Sequence, residues 1–84
     1  MEMIYNSPNY VVVEFANPEN EAAQGYGFEI VDKQTRRELY LAGDVADLFR
    51  HRVQELIASG PSMEDVDDFL SEYDTFMQRP VVLH

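Results

Sequence analysis

Between residues 42 and 45 the hydrophobic period of this chain changes from two to 3.6, and that change constrains most of what it can fold into. Upstream, apolar side chains alternate. Tyr10-Val-Val-Val-Glu-Phe15 is rich in β-branched and aromatic residues and sets Val11, Val13 and Phe15 against Tyr10, Val12 and Glu14. Tyr26 to Asp32 sets Tyr26, Phe28 and Ile30 against Gly27, Glu29 and Val31. After a polar turn at Lys33-Gln34-Thr35, Arg36 to Ala42 sets Leu39 and Leu41 against Arg36, Glu38 and Tyr40. This pattern predicts a β-hairpin with one apolar face. Met3-Ile4-Tyr5 is strand-like as well, and Asn6-Ser7-Pro8-Asn9 has turn chemistry. Residues 2–15 therefore read as a hairpin or as one bent edge strand. Ala16 to Gly25 reads as a loop.

Downstream, Val45, Leu48, Phe49, Val53, Leu56 and Ile57 recur at helical spacing and predict a helix over 44–59. Asp44 serves it as N-cap or first-turn acid, and Gly60-Pro61 stops it. Asp47, Arg50, His51, Gln54 and Glu55 fall on its polar side. Ser62-Met63-Glu64-Asp65 resembles a capping box and opens a second helix over 62–77, which ends before Pro80. Its stripe is Val66, Phe69, Leu70, Tyr73 and Met77, with Phe76 at the edge. The two-residue hinge makes the helices an αα-hairpin.

The expected fold is α+β, a single domain over residues 1–84. An antiparallel β-sheet of three strands, with a fourth from the N- or the C-terminal segment, is covered on one face by the αα-hairpin. The tail Pro80-Val81-Val82-Leu83-His84 is too apolar for full solvation and is expected to dock on the sheet or on a partner. Pairing within the chain and pairing with another copy are both open to it.

Composition narrows the chemistry. The absence of Cys excludes a disulfide framework, a thiol nucleophile and a thiolate metal site. No apolar run approaches the roughly 20 residues needed to span a bilayer, and the N-terminus has no secretory pattern, so the expected location is the cytoplasm. Sixteen acidic residues against six basic ones give a net charge of −10. Such a field repels nucleic acid and anionic membrane, and favours basic partners or plain solubility.

The charge is densest on the second helix, where Glu64, Asp65, Asp67, Asp68, Glu72 and Asp74 occur with no base among them. Glu64, Asp68 and Glu72 form one row at i, i+4, i+8, where like charges cost about 0.2–0.5 kcal/mol per pair. Three readings compete: a solvated acidic face, a docking patch, and a divalent-metal site. The last lacks a ligand loop. Glu64, Asp67, Asp68 and Glu72 are therefore the candidate partner-docking residues. His51 between Asp47 and Glu55 reads as a solvated imidazole, and Ser62 as a cap. Arg52 is placed to run its stem along the core edge and to reach an acid of the second helix. Lys33, Arg36 and Arg37 make a small basic spot that could meet the acidic helix of a second copy.

The runs Met3-Ile-Tyr-Asn-Ser-Pro-Asn-Tyr10, Phe28-Glu-Ile-Val-Asp-Lys33 and Met77-Gln-Arg-Pro-Val-Val-Leu-His84 resemble a family of short bacterial proteins, domain of unknown function 3567. The resemblance covers nearly the whole chain. It implies a single-domain bacterial protein of the cytosol and brings no activity, cofactor or site residue.

The functional expectation is a small acidic, non-enzymatic protein-interaction module with no cofactor. Its partner is a protein, a basic one or a second copy of the chain, rather than nucleic acid or membrane. Tyr10, Tyr40 and Tyr5 are read as outward-facing and suited to an interface. The alternative is a nucleic-acid regulator, either a ribbon-helix-helix-like binder built on strand 36–42 and the two helices, or an acidic decoy of a DNA-binding protein.

Overall fold

A computed structural model describes residues 2–15 and 27–77. Within them lie β1 (Glu2–Asn6), β2 (Tyr10–Phe15), β3 (Gly27–Asp32), β4 (Arg37–Ala42), α1 (Gly43–Ala58) and α2 (Met63–Ser71), followed by a 3-10 turn at Asp74–Phe76. The strands form one antiparallel sheet in the order β1-β2-β3-β4. The α+β expectation holds, and the fourth strand comes from the N-terminal segment. The expected loop 16–25 and the tail 80–84 lie outside the described residues.

Register follows from the alternation. Val12, Ile30 and Leu39 stand in one cross-strand row, and Glu14, Phe28 and Leu41 in another. Val12, Phe28, Ile30 and Leu41 are buried together with Ala46 and Phe49 of α1 and Leu70 of α2. The Phe49 ring lies 4.9 Å from Phe28, 5.8 Å from Phe69 and 5.4 Å from Tyr73, so one side chain joins strand, both helices and the turn beyond. The other sheet face carries Val11, Val31 and Glu38 in one row and Val13, Glu29 and Tyr40 in the next. There Tyr40 lies edge-on to Phe15, with ring centroids 6.0 Å apart. Gly27 makes room for it: a Cβ there would meet the Leu41 carbonyl oxygen and would sit 2.7 Å from the Tyr40 hydroxyl.

Three expectations change. Tyr10 is buried, not outward-facing, because it shares the sheet face of Val12 and its hydroxyl donates to Asp74 at 3.1 Å. The buried stripe of α1 is narrower than the apolar pattern: Ala46 and Phe49 are inside, whereas Val45, Leu48 and Ile57 are exposed. Ala46 and Phe49 take the inward positions, three apart on one face, and Val45 and Leu48 lie off that face. Of the two roles expected of Asp44 it takes that of first-turn acid, and Ala42 caps α1 without a side-chain bond. The second helix ends at Ser71, not near 77. Glu72 and Tyr73 donate three residues back, to Phe69 and Leu70, and the tightened chain turns Tyr73 and Met77 toward the core. The Ser62–Asp65 capping box is present with both bonds at 3.1 Å.

Truncating the most connected core side chain, Phe49→Ala, is expected to cost about 3–5 kcal/mol. That is a large share of the roughly 5–15 kcal/mol typical of a folded domain. Urea denaturation measures it, and a loss below ~1 kcal/mol would contradict the central place given to this ring.

Candidate functional site

The turn between β1 and β2 is built by side chains rather than by glycine. The Ser7 N–H donates to the Tyr10 carbonyl at 2.8 Å. Ser7 Oγ accepts from the Asn9 and Tyr10 amides at 3.1 and 3.0 Å. The same hydroxyl donates to Asp67 Oδ1 at 2.9 Å. The Tyr5 hydroxyl donates to that oxygen at 2.8 Å, and Asn9 Nδ2 donates to Asp67 Oδ2 at 2.9 Å. One carboxylate of α2 thus holds three side chains of the first hairpin, about sixty residues away in sequence. Burial works against the charged form of Asp67, but the bonds from Asn9, Tyr5 and Ser7 outweigh it and hold the carboxyl below its ordinary range.

Neighbouring groups complete the cluster. Lys33 Nζ donates to Asn6 Oδ1 at 2.6 Å and to the Ser7 carbonyl at 2.7 Å, so the β3–β4 turn braces the β1–β2 turn. Asp32 accepts from the Gln34 and Thr35 amides and faces Arg37 at 3.8 Å. Burial and the bond to Asp74 push the Tyr10 phenol well above its usual range. The Ser7 hydroxyl is buried and fully engaged, and Lys33 reaches the Ser7 carbonyl rather than its hydroxyl. The arrangement is a clamp, and its groups act on one another.

The four candidate docking acids therefore separate. Asp67 is the centre of the clamp. Glu72 accepts from Arg52 at 2.9 Å, and the Arg52 guanidinium lies 5.1 Å from the centroid of the Phe69 ring, as its predicted placement along the core edge required. Glu64 and Asp68 are exposed. Missing from the sequence reading were Tyr5, Ser7 and Asn9 as partners of Asp67. The available signal was that Asp67 lies off the Glu64–Asp68–Glu72 row, beside Val66 and one turn before Leu70, on the inward flank of α2. On the other sheet face Glu29 lies beside Glu38. A hydrogen bond with Glu38, then burial, then the Glu38 charge raise the Glu29 carboxyl above its usual range.

A second feature is apolar. A groove of about 460 Å³ runs along β4, lined by Leu39, Tyr40, Leu41, Val45, Tyr73 and Phe76. Phe76 is 66% exposed and Val45 54%. The groove has side chains from both faces of β4, so it wraps the edge of the sheet. Among the described residues no group of three His, Cys, Asp or Glu side chains could hold a metal ion, and no helix is long and apolar enough to cross a membrane.

The family model described as protein of unknown function (DUF3567) matches residues 1–84. Protein BTH_I0359 of Burkholderia thailandensis is 49% identical over 85 residues, covering 100% of both chains. No solved structure matches.

The clamp predicts a pH dependence. The folded carboxyl of Asp67 titrates below its unfolded value of about 3.9. Its contribution is therefore complete above that value and is lost as the pH falls through the lowered folded one. Asp67→Ala is expected to cost about 2–4 kcal/mol at neutral pH. It should also flatten the acid limb of a stability-against-pH curve measured by urea melts. An acid limb identical to that of the natural protein would remove Asp67 from this role.

Proposed function

The chain belongs to the DUF3567 family of proteins of unknown function, and we propose that it is a small, acidic, non-enzymatic protein-interaction module that binds a protein partner through the apolar groove along β4. The observation that carries this reading is the exposure of Phe76 and Val45 beside an edge strand, in a groove whose other lining side chains are also largely apolar. Acids of α2 that remain exposed, Glu64 and Asp68, give the module a negative flank toward a basic partner. Asp67 and Glu72 keep the helix in place for it. In this reading α1 and α2 form a hairpin over the sheet face of Val12, Ile30 and Leu41. The contacts of Phe49 with Phe28 on one side and Phe69 on the other support that layering. The polar groups with catalytic potential, Ser7, Lys33 and Asp67, are spent in structural bonds, which favours a non-enzymatic role.

Affinity capture from native lysate tests the proposal with three baits: the natural chain, Phe76→Lys, and Glu64→Lys with Asp68→Lys. The expected result is a protein retained by the natural bait, lost from Phe76→Lys, and weakened with the α2 reversal. Identical retention by all three baits, or by none, would overturn the groove as a docking surface.

A further inference from the structure

We propose that the occupant of the β4 groove is a second copy of this chain, docked antiparallel about a two-fold axis so that the two β4 strands pair and the sheet becomes continuous. This rests on the interaction-module reading and names its partner.

The two edges of the sheet differ in how they are defended. β1 has a register shift between Met3 and Tyr5, and Pro8 follows two residues after the strand. Bulges and prolines are what natural edges use to block further pairing. β4 has neither. Its register against β3 is unbroken from Arg37–Asp32 to Ala42–Gly27, and it contains no Pro and no Lys. Among the described residues no strand pairs on its far side. The charged residues of β4, Arg37 and Glu38, stand at its start, and Arg37 is turned to Asp32 and the Asp74 carbonyl. The stretch from Leu39 to Ala42, without bulge or proline and flanked by an apolar groove, is the geometry that accepts an added strand.

Charge selects the copy. An antiparallel two-fold brings the start of one β4 to the end of the other. Arg36 stands at the start; it is exposed, held in the left-handed region at φ 61°, and pairs with no acid among the described residues. Asp44 and Asp47 stand just past the end, in the first turns of α1, also exposed. Each copy therefore offers the other a base where the other offers acids, and the contact forms twice. The net charge of −10 opposes association at long range. At physiological salt that repulsion is screened beyond about 8 Å, whereas pairs in contact are screened much less. Phe76 and Val45 of each copy lie beside the same edge and are covered by the same contact.

Sedimentation equilibrium of the full chain from micromolar to millimolar concentration tests this, with circular dichroism confirming the fold of every variant. A dimer is expected. Arg36→Glu and Asp44→Arg should each weaken it about tenfold or more, and the two together should restore most of the loss, as charge pairs in contact do. Phe76→Lys should leave a monomer. A dimer indifferent to all these changes would place its interface elsewhere and overturn the proposal. A natural chain that stays monomeric would also overturn it. If such a monomer still captured another protein in a Phe76-dependent way, the interaction reading would stand without self-docking. If its β4 amides were protected from hydrogen exchange, residues 80–84 of the same chain would be the occupant instead.

Discussion

The carboxylate of Asp67 is the interaction on which the arrangement of the two halves depends. It gathers Tyr5, Ser7 and Asn9 from the first hairpin and fixes them to a helix some sixty residues later. Without it the β1–β2 turn would keep its own backbone bond, the Ser7 hydroxyl and the brace from Lys33, but nothing on this carboxylate would tie it to α2. β2 is held by β3 as well, whereas β1 pairs only with β2 among the described residues, so an anchor for the β1 side matters. A charged acceptor with three donors is a strong one, since bonds to ionised groups are worth roughly twice neutral ones. The anchor also orients α2. With Asp67 pinned toward the turn, Leu70 faces the core and Glu64 and Asp68 face outward.

A clamp of this kind explains how a chain with so many acids keeps a defined fold. Apart from the Glu29–Glu38 pair on the outer sheet face, acids that touch the structure are given a donor. Asp67 takes hydroxyls and an amide, Asp74 takes the Tyr10 phenol, Asp32 takes two backbone amides, and Glu14 and Glu72 take Arg50 and Arg52. The bases Lys33, Arg37, Arg50 and Arg52 all make such internal contacts. The negative charge left over belongs to exposed side chains, where it repels through water at little cost. The surface acidity and the internal pairing are thus separate matters, and only the first is visible in a charge count.

The same economy leaves the β4 side of the molecule unusual. Ala46 is buried against the sheet, while its apolar neighbours Val45 and Leu48 are exposed. The chain turns at Asp74–Phe76 to bury Met77, and this sets Phe76 in water beside the edge strand. The apolar surface here is a product of how the core was satisfied, and it lies along the one edge without a bulge.

Period placed β2, β3, β4 and α1 to within a residue or two and the start of α2 likewise, because burying one face of a strand or helix imposes a repeat on the sequence; the end of α2 came six residues earlier than its stripe implied. The capping box, the Gly60-Pro61 stop and the polar turn at Lys33-Gln34-Thr35 were legible for the same reason: their chemistry is complete within a few residues. What the sequence could not settle was which apolar residues would be inside. Alternation in Tyr10–Phe15 allows either face to be buried, and the choice went to Tyr10 and Val12 because Asp74 supplies a partner for the phenol. The inward face of α1 centred on Ala46 and Phe49, with Val45 and Leu48 left exposed, because the helix had to share its apolar residues between the sheet and water. The acids of α2 divided into structural and exposed ones through contacts about sixty residues long. Those facts depend on what the chain brings together from a distance, and only the tertiary structure decided them.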